Sequence, residues 1–272
     1  MSAGFGSKGP EGFPSLRPQV VIEPLDRPAP ELYWHEVRNF FSALEAGDQA
    51  MWAIYDQPDC RLTSVSDQFV AGRIKVHGIE GLEILGVEYT EEASWAPEER
   101  SFFVAVSADR ARWLGTLSGR PGQRVLRTVA DEGFDADWGS FVTRPRDTGR
   151  FERRPDGSIV QRHGPDHSGD NAGIFGMAKV SVGEREFECV HVIEVPFSPT
   201  EHDILMESFV SVELGRLILG RRYNGRLARF GNHRPWDEEL PASHRLVVDG
   251  ITFVHWYDCL GHIAIGVELP RR

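Results

Sequence analysis

Short runs of alternating apolar and polar residues follow one another along most of the chain after Arg61. They are rich in Val, Ile, Phe and Tyr, and a period of two is typical of strands that bury one face. The clearest runs predict strands over residues 61–65, 73–77, 82–89, 101–106, 112–117, 124–130, 158–162, 177–182, 185–195, 204–213, 216–223, 226–230, 244–248, 251–260 and 262–269. Because no helical period follows Tyr55, the pattern predicts an antiparallel barrel or sandwich.

Glycine-containing turn signals separate several of these runs. Asp249-Gly250 and Asn224-Gly225 have the composition of two-residue hairpin turns, in which both central residues adopt positive φ. Pro155-Asp156-Gly157 has the composition of a further turn. We therefore predict that the chain reverses direction at these three places.

The first 56 residues have a different pattern from the rest. Residues 1–30 contain six prolines and little periodicity, which predicts an extended or disordered arm, either a free tail or an arm that packs on a partner subunit. Apolar residues from Val37 to Leu44 then recur at helical spacing, and a second short helix is predicted from Asp48 to Tyr55. This helical pair is expected to cover the sheet.

The predicted organisation has four parts. They are a flexible Pro/Gly-rich arm over 1–30, the helical pair with a first β half over 31–142, a mobile loop or linker over 143–173, and a second β half over 174–272. The sequence from Val70 to His77 matches that from Val248 to His255 at four positions. The match indicates either a duplicated β unit or a chance similarity.

Residues 182–191, VGEREFECVH, resemble a strand pair of lipocalin-like and other lipid-carrier β-barrels, in which a Val-x-Gly turn leads into a Phe-x-Cys strand. The resemblance implies a closed antiparallel sheet with an apolar interior, and it assigns no role to an individual residue. The predicted fold class is therefore mainly β, with an antiparallel, barrel-like (lipocalin/calycin-like) sheet and a short N-terminal helical pair.

Two of the predicted strands carry polar residues on the face that we expect to be buried. In one strand, three glutamates mark the solvent side, so Cys189 and His191 should point inward. In the last hairpin, His255, Tyr257 and Cys259 share the face of the apolar residues. Apolar walls with a few polar groups are typical of ligand sites. Alternatively, these residues are hydrogen-bonded core residues, or a Cys–His pair carries out catalysis.

A stretch rich in arginine supplies further candidates. Six arginines and no acid lie between Leu214 and Trp236, and Arg221 and Tyr223 are expected at the inner rim of the sheet. The planar guanidinium suits a carboxylate or phosphate, although these arginines could instead pair with acids of the same protein. Three isolated acids could serve as a general base if buried, namely Glu88, Glu207 and Asp258.

Composition and charge narrow the function classes. The chain has 272 residues and a net charge of −11, which opposes binding to nucleic acid or anionic membranes. No apolar run reaches the length of a signal peptide core or membrane span, and three widely spaced cysteines suggest reduced thiols in the cytoplasm. His163 and His167 lie in a polar loop for which no metal is predicted. No phosphate-binding or catalytic motif is present, so no cofactor is predicted.

Three functions are open at this stage. The first is binding of an apolar or aromatic, in some cases anionic, small molecule inside the sheet, by Cys189, His191, Arg221, Tyr223, His255 and Tyr257. The second is a hydrolase, isomerase or lyase that uses a pocket histidine with a tyrosine or an acid. The third is a structural protein that forms homo-oligomers through its arm and arginine-rich segment.

Overall fold

A computed structural model gives the fold of this chain. It describes residues 12–27, 46–76, 78–106, 111–118, 125–128, 140–141, 151–156, 158–161, 171–195, 204–225, 244–248 and 250–268. The strands are β1 (Val20–Leu25), β2 (Gln49–Asp56), β3 (Arg61–Val76), β4 (Ile79–Thr90), β5 (Pro97–Val106), β6 (Ala111–Ser118), β7 (Val125–Thr128), β8 (Ser140–Phe141), β9 (Phe151–Arg153), β10 (Ile159–Gln161), β11 (Asn171–Val182), β12 (Arg185–Val195), β13 (Ile204–Ser211), β14 (Leu217–Gly225), β15 (Arg245–Val248) and β16 (Ile251–Gly261).

Twelve of these strands follow one antiparallel path. Their order is β1, β11, β12, β13, β14, β16, β2, β3, β4, β5, β6, β7, and the remaining four strands pair beside this path. The prediction of a mainly antiparallel β protein is confirmed. Within the described residues the path is open, with β1 and β7 at its ends, so the sheet is not closed as the lipocalin-like resemblance implied.

The sheet curls over its main core. Val180 and Phe187, from β11 and β12, lie in the same buried cluster as Tyr55 and Val65, from β2 and β3. Strands so far apart in the path can share a cluster only if the sheet bends toward itself. We call the face that carries this cluster the inner face. The opposite, outer face also buries side chains, including Val190 on β12, which alternates with inward-pointing neighbours.

The N-terminal segment joins the two sides of the curled sheet. Ser15 and Arg17 make backbone hydrogen bonds of 2.9 and 2.8 Å to the start of β3, and β1 then pairs with β11 over six residues. Phe13 is buried in the main core. The described part of the predicted arm is therefore extended, but it packs on its own sheet.

The second predicted helix is wrong, because residues 49–56 form β2. This strand buries side chains on both faces: Ala53 and Tyr55 point toward the inner face, and Trp52 points the other way. A strand that is buried on both sides loses its polar alternation, so its apolar residues can match helical spacing. The first predicted helix lies outside the described residues, and the described residues contain no α-helix.

The predicted turns have different outcomes. Val248 pairs with Ile251 across the predicted hairpin turn at 249–250, and Gly250 has a φ of +79°, so that prediction is confirmed. Asn224 and Gly225 instead continue β14 and pair with β16, so no turn forms there. Likewise, residues 262–266 form a turn where a strand was predicted.

The short internal match does not mark equivalent positions. Gly72 lies at a bulge inside the long strand β3, whereas Gly250 lies in the turn between β15 and β16. Both predicted β halves contribute to the same sheet, through the pairing of β16 with β2. The division at 143–173, which contains the short strands β9 and β10, stays a prediction.

Candidate functional site

A β-bulge in β16 determines which of its polar residues reach the inner face. Tyr223 of β14 pairs with His255, but the preceding Arg222 pairs with Tyr257, so Trp256 is an extra residue in β16. The extra residue reverses the alternation. His255 and Asp258 therefore both point inward, whereas Tyr257 points outward and lies near the guanidinium of Arg222.

Asp258 is the centre of the first inner polar cluster. Its carboxylate is fully buried and accepts hydrogen bonds from three side chains on three parts of the chain. His255 approaches through Nε2 at 2.8 Å, Arg221 donates through Nε at 3.0 Å, and Arg17 donates through Nη1. The N-terminal segment is thus tied to the middle of the sheet by a buried ion pair.

Glu207 is the centre of the second inner cluster. One carboxylate oxygen lies 2.8 Å from Nε2 of His191, and the other accepts a hydrogen bond of 2.9 Å from the hydroxyl of Tyr223. The His191 ring stacks on Phe209, with 4.3 Å between the ring centroids. All of these side chains are buried.

The two clusters are electrostatically connected. Arg221 pairs with Glu207 across β13 and β14, so its charge lies between the two carboxylates. Burial opposes ionisation of Glu207, but the hydrogen bond and charge of His191 and the charge of Arg221 outweigh it and lower the pKa of Glu207 to about 2. Burial also lowers the pKa of His255 to about 3, so this ring is neutral near neutral pH.

The carboxylate oxygens of this network all have interaction partners within the protein. All four oxygens of Asp258 and Glu207 interact with protein groups, and Arg17 and Arg221 balance the two negative charges. A general base needs an oxygen or nitrogen directed at a substrate, and these carboxylate oxygens are already engaged. The arrangement is suited to holding the inner face and the N-terminal segment in one conformation.

The six predicted ligand residues therefore occupy three environments. Four of them, His191, Arg221, Tyr223 and His255, belong to the inner polar network. Cys189 lies among apolar side chains of the main core, where burial raises its pKa to about 12. Tyr257 lies on the outer face.

Two of the three isolated acids prove to be central to the network, namely Glu207 and Asp258, whereas Glu88 is partly exposed. Arg17 was missed because it lies in the predicted arm. Its signal is weak: Val20-Val-Ile-Glu reads as a short strand, and a strand that follows an arginine can hold that arginine against the sheet.

A pocket of about 170 Å³ lies on the outer face, away from the network. We call it the Trp52 pocket. Its walls are mainly apolar, and its lining residues are Asp48, Ala50, Met51, Trp52, Gln68, Val70, Ile84, Leu214, Gly215, Arg216, Leu217, Ile218, Gly261, His262 and Ile263. Trp52, Val70 and Ile84 come from neighbouring strands and form its floor, since the register of β2, β3 and β4 places them on one face.

A larger and more polar recess of about 590 Å³ adjoins the Trp52 pocket. The two cavities share Asp48, Leu214, Arg216, His262 and Ile263, and the recess adds Gly47, Gln49, Arg185, Glu213 and Glu268. An apolar pocket that opens into a polar recess can accept a molecule with one apolar and one polar end.

The described part of the chain gives no support for a metal site or for a membrane-spanning helix. Its residues contain no group of three or more metal-ligand side chains, and His163 and His167 lie outside it. No helix among the described residues is long and apolar enough to cross a membrane.

Comparisons with known proteins identify no family. No protein-family model matches the chain, and no curated protein matches it significantly. Among solved structures, the chain is similar to a Bacteroides fragilis protein that is described as having a YmcC-like fold and is proposed to be exported. The two share 9% identity, with a TM-score of 0.38, and the match covers 82% of this chain and 97% of the other.

Proposed function

We propose that this protein binds a small, largely apolar molecule, and that the Trp52 pocket is its binding site. The observation that carries the proposal is the pocket itself, a mainly apolar concavity whose lining includes a few polar side chains. The proposal keeps the ligand-binding function expected of a lipocalin-like sheet. It places the ligand on the outer face, because the histidines predicted to line an interior site are already hydrogen-bonded to carboxylates of the protein.

The size of the pocket supports a small ligand. A cavity of about 150 Å³ lined by aliphatic and aromatic side chains is sufficient to bind benzene. The Trp52 pocket, at about 170 Å³, therefore suits an aromatic ring or a short alkyl chain. Burying such a group gains about 25 cal/mol for each Å² of apolar surface removed from water.

Filling the pocket tests the proposal. In V70F, a larger ring replaces a buried side chain of the pocket floor, so binding of octan-1-ol should weaken by about tenfold or more. Isothermal titration calorimetry measures the affinity, and circular dichroism checks that the variant folds. V21F, at an exposed position of β1 outside the pocket, is the matched control and should bind like the wild type. Equal binding by V70F and V21F would contradict the assigned site.

An acid–base enzyme is the alternative proposal, and the observation that favours it is the presence of two histidine–carboxylate pairs, His191–Glu207 and His255–Asp258. It is the weaker of the two, because both histidines are buried and neither lines the Trp52 pocket or the adjoining recess. The cytoplasmic location and homo-oligomerisation stay predictions from the sequence.

A further inference from the structure

We infer that the ligand of the Trp52 pocket is a small organic carboxylate, whose acid group is held by Arg216 and His262 while its apolar part lies in the pocket. This inference rests on the proposed function and adds the chemical class of the ligand. Three observations carry it: the positions of the donors, the two arginines that line the recess and the size of the apolar space.

Arg216 is the cation best placed for this role, since it lines both the pocket and the recess. Its Nη1 donates a hydrogen bond of 3.2 Å to the backbone oxygen of Gln49. This contact fixes the guanidinium beside β2 but uses only one of its nitrogens. A planar guanidinium that is already held in place loses less conformational entropy when it binds a carboxylate.

Arg185 supplies a second fixed positive charge at the recess. Its Nη1 donates a hydrogen bond of 2.6 Å to the backbone oxygen of Ile263. Arg185 lines the recess but not the pocket, so its charge acts on the polar end of a bound molecule. The two arginines thus place two guanidinium charges at the recess, and Arg216 carries one of them to its junction with the pocket.

The neutral ring of His262 contributes a hydrogen-bond donor whose orientation is fixed by the protein. The backbone N–H of Met51 donates to Nδ1 of this ring at 3.3 Å, so Nδ1 carries no proton and the neutral ring carries its proton on Nε2. The pKa of His262 is lowered, because burial and the charges of Arg216 and Arg185 outweigh the opposing effects of the Met51 backbone hydrogen bond and of Asp67. His262 lines both cavities and can therefore donate from Nε2 to an acceptor at their junction.

The acidic residues that line the recess must be considered beside these hydrogen-bond donors. Glu213 and Glu268 line the recess only, and both are exposed to solvent, which screens their charges. Asp48 lines both cavities and has polar interactions of its own within the protein. Of the charged or titratable groups, Arg216, His262 and Asp48 therefore line the junction of the two cavities, and the two exposed glutamates line only the recess.

The apolar space limits the size of the acid. At about 170 Å³, the pocket is close to the volume that holds one benzene ring. The class that fits is therefore an aryl carboxylate or an alkyl carboxylate of medium chain length. A long-chain fatty acid would have to extend beyond the pocket.

Three probes with the same alkyl chain separate this inference from the proposed function. Octanoate, octan-1-ol and octylammonium differ only in the head group, and titration calorimetry at low salt compares their affinities for the full chain. Octanoate should bind about tenfold or more tightly than octan-1-ol, and octylammonium should bind most weakly. If none of the three binds, the proposed function fails. If octan-1-ol binds at least as tightly as octanoate, the proposed function stands and this inference fails.

Substitution of Arg216 provides the second arm. R216Q should remove the preference for octanoate over octan-1-ol while octan-1-ol still binds, and R216K should retain part of it because a charge remains without the planar fork. R100Q is the control, since Arg100 pairs with Glu98 on the surface of β5. If R216Q does not fold, the wild-type preference should still decrease as salt is added. A preference unaffected by R216Q, or by salt, would overturn the inference.

Discussion

Replacement of Glu207 by glutamine gives the sharpest test of the buried polar network. The glutamine side chain has nearly the same shape, but its amide group offers a donor to one of two positions where Glu207 accepts hydrogen bonds from His191 and Tyr223. The substitution also leaves the positive charge of Arg221 without one of its two neighbouring carboxylates. The variant E207Q therefore loses a charge interaction and a hydrogen bond while the packing is preserved.

The expected magnitude follows from two independent considerations. A pKa lowered from 4.5 to about 2 in the folded state corresponds to about 3 kcal/mol of stability at neutral pH. Removal of one partner from a buried charged pair typically costs about 3–5 kcal/mol. We therefore expect E207Q to lower the free energy of unfolding by about 3 kcal/mol near pH 7.

The lowered pKa also determines the sign of the pH dependence. Because the pKa of Glu207 is lower in the folded state, its contribution is present above the unfolded value of 4.5 and is lost as the pH falls toward about 2. The difference in stability between wild type and E207Q should thus shrink as the pH falls from about 4.5 toward about 2. Urea denaturation followed by circular dichroism at each pH measures both free energies.

A surface substitution serves as the control for this experiment. Glu186 lies on the exposed side of β12 and pairs with Lys179, so E186Q should change stability by about 0.5 kcal/mol or less. The stabilising role of the network would be refuted if E207Q and E186Q had the same stability, or if the effect of E207Q grew as the pH was lowered from about 4.5 toward about 2.

Two further predictions concern packing and thiol reactivity. G261A should lower the free energy of unfolding by about 1–3 kcal/mol in urea denaturation, because an added Cβ would lie 2.7 Å from the backbone oxygen of Leu217. At Gly220 the nearest atom to an added Cβ is 3.6 Å away, so G220A should destabilise the protein clearly less. Equal losses of stability in the two variants would contradict this packing. Iodoacetamide at mildly alkaline pH should modify Cys60 before Cys189 in the native protein, since Cys189 is buried and has a pKa of about 12. Peptide mass spectrometry measures the extent of modification at each cysteine. Early modification of Cys189 would contradict its burial in the core.

The strands were largely predictable, because a strand with one wet face records its environment in alternating residues. In β12, Glu186 and Glu188 are exposed, whereas Phe187 and Cys189, which alternate with them, are buried, as the pattern predicts. The prediction failed at β2, where both faces are buried and the alternation is absent. The pattern of apolar and polar residues along a strand indicates whether one of its faces is buried. It contains no information about which other part of the chain covers the second face.

The candidate site was predictable only in part. His191 and His255 were expected on the inner face and lie there, but the sequence does not show that Glu207 and Asp258 are their partners. Contacts across strands depend on register, and register depends on bulges that leave no clear sequence signal. The Trp52 pocket was not foreseen, since its walls come from segments far apart in the chain.

The sequence by itself determined the β class, most strand positions, the hairpin at residues 249–250 and the net negative charge, because each depends on short-range pattern or on summed charge. The tertiary structure decided the rest. One extra residue at Trp256 turned Tyr257 outward and brought Asp258 beside His255. The curl of the sheet and the docking of Arg17 then enclosed that carboxylate, and the packing of distant segments left the Trp52 pocket on the opposite face. Such outcomes arise from long-range contacts, which local sequence patterns do not record.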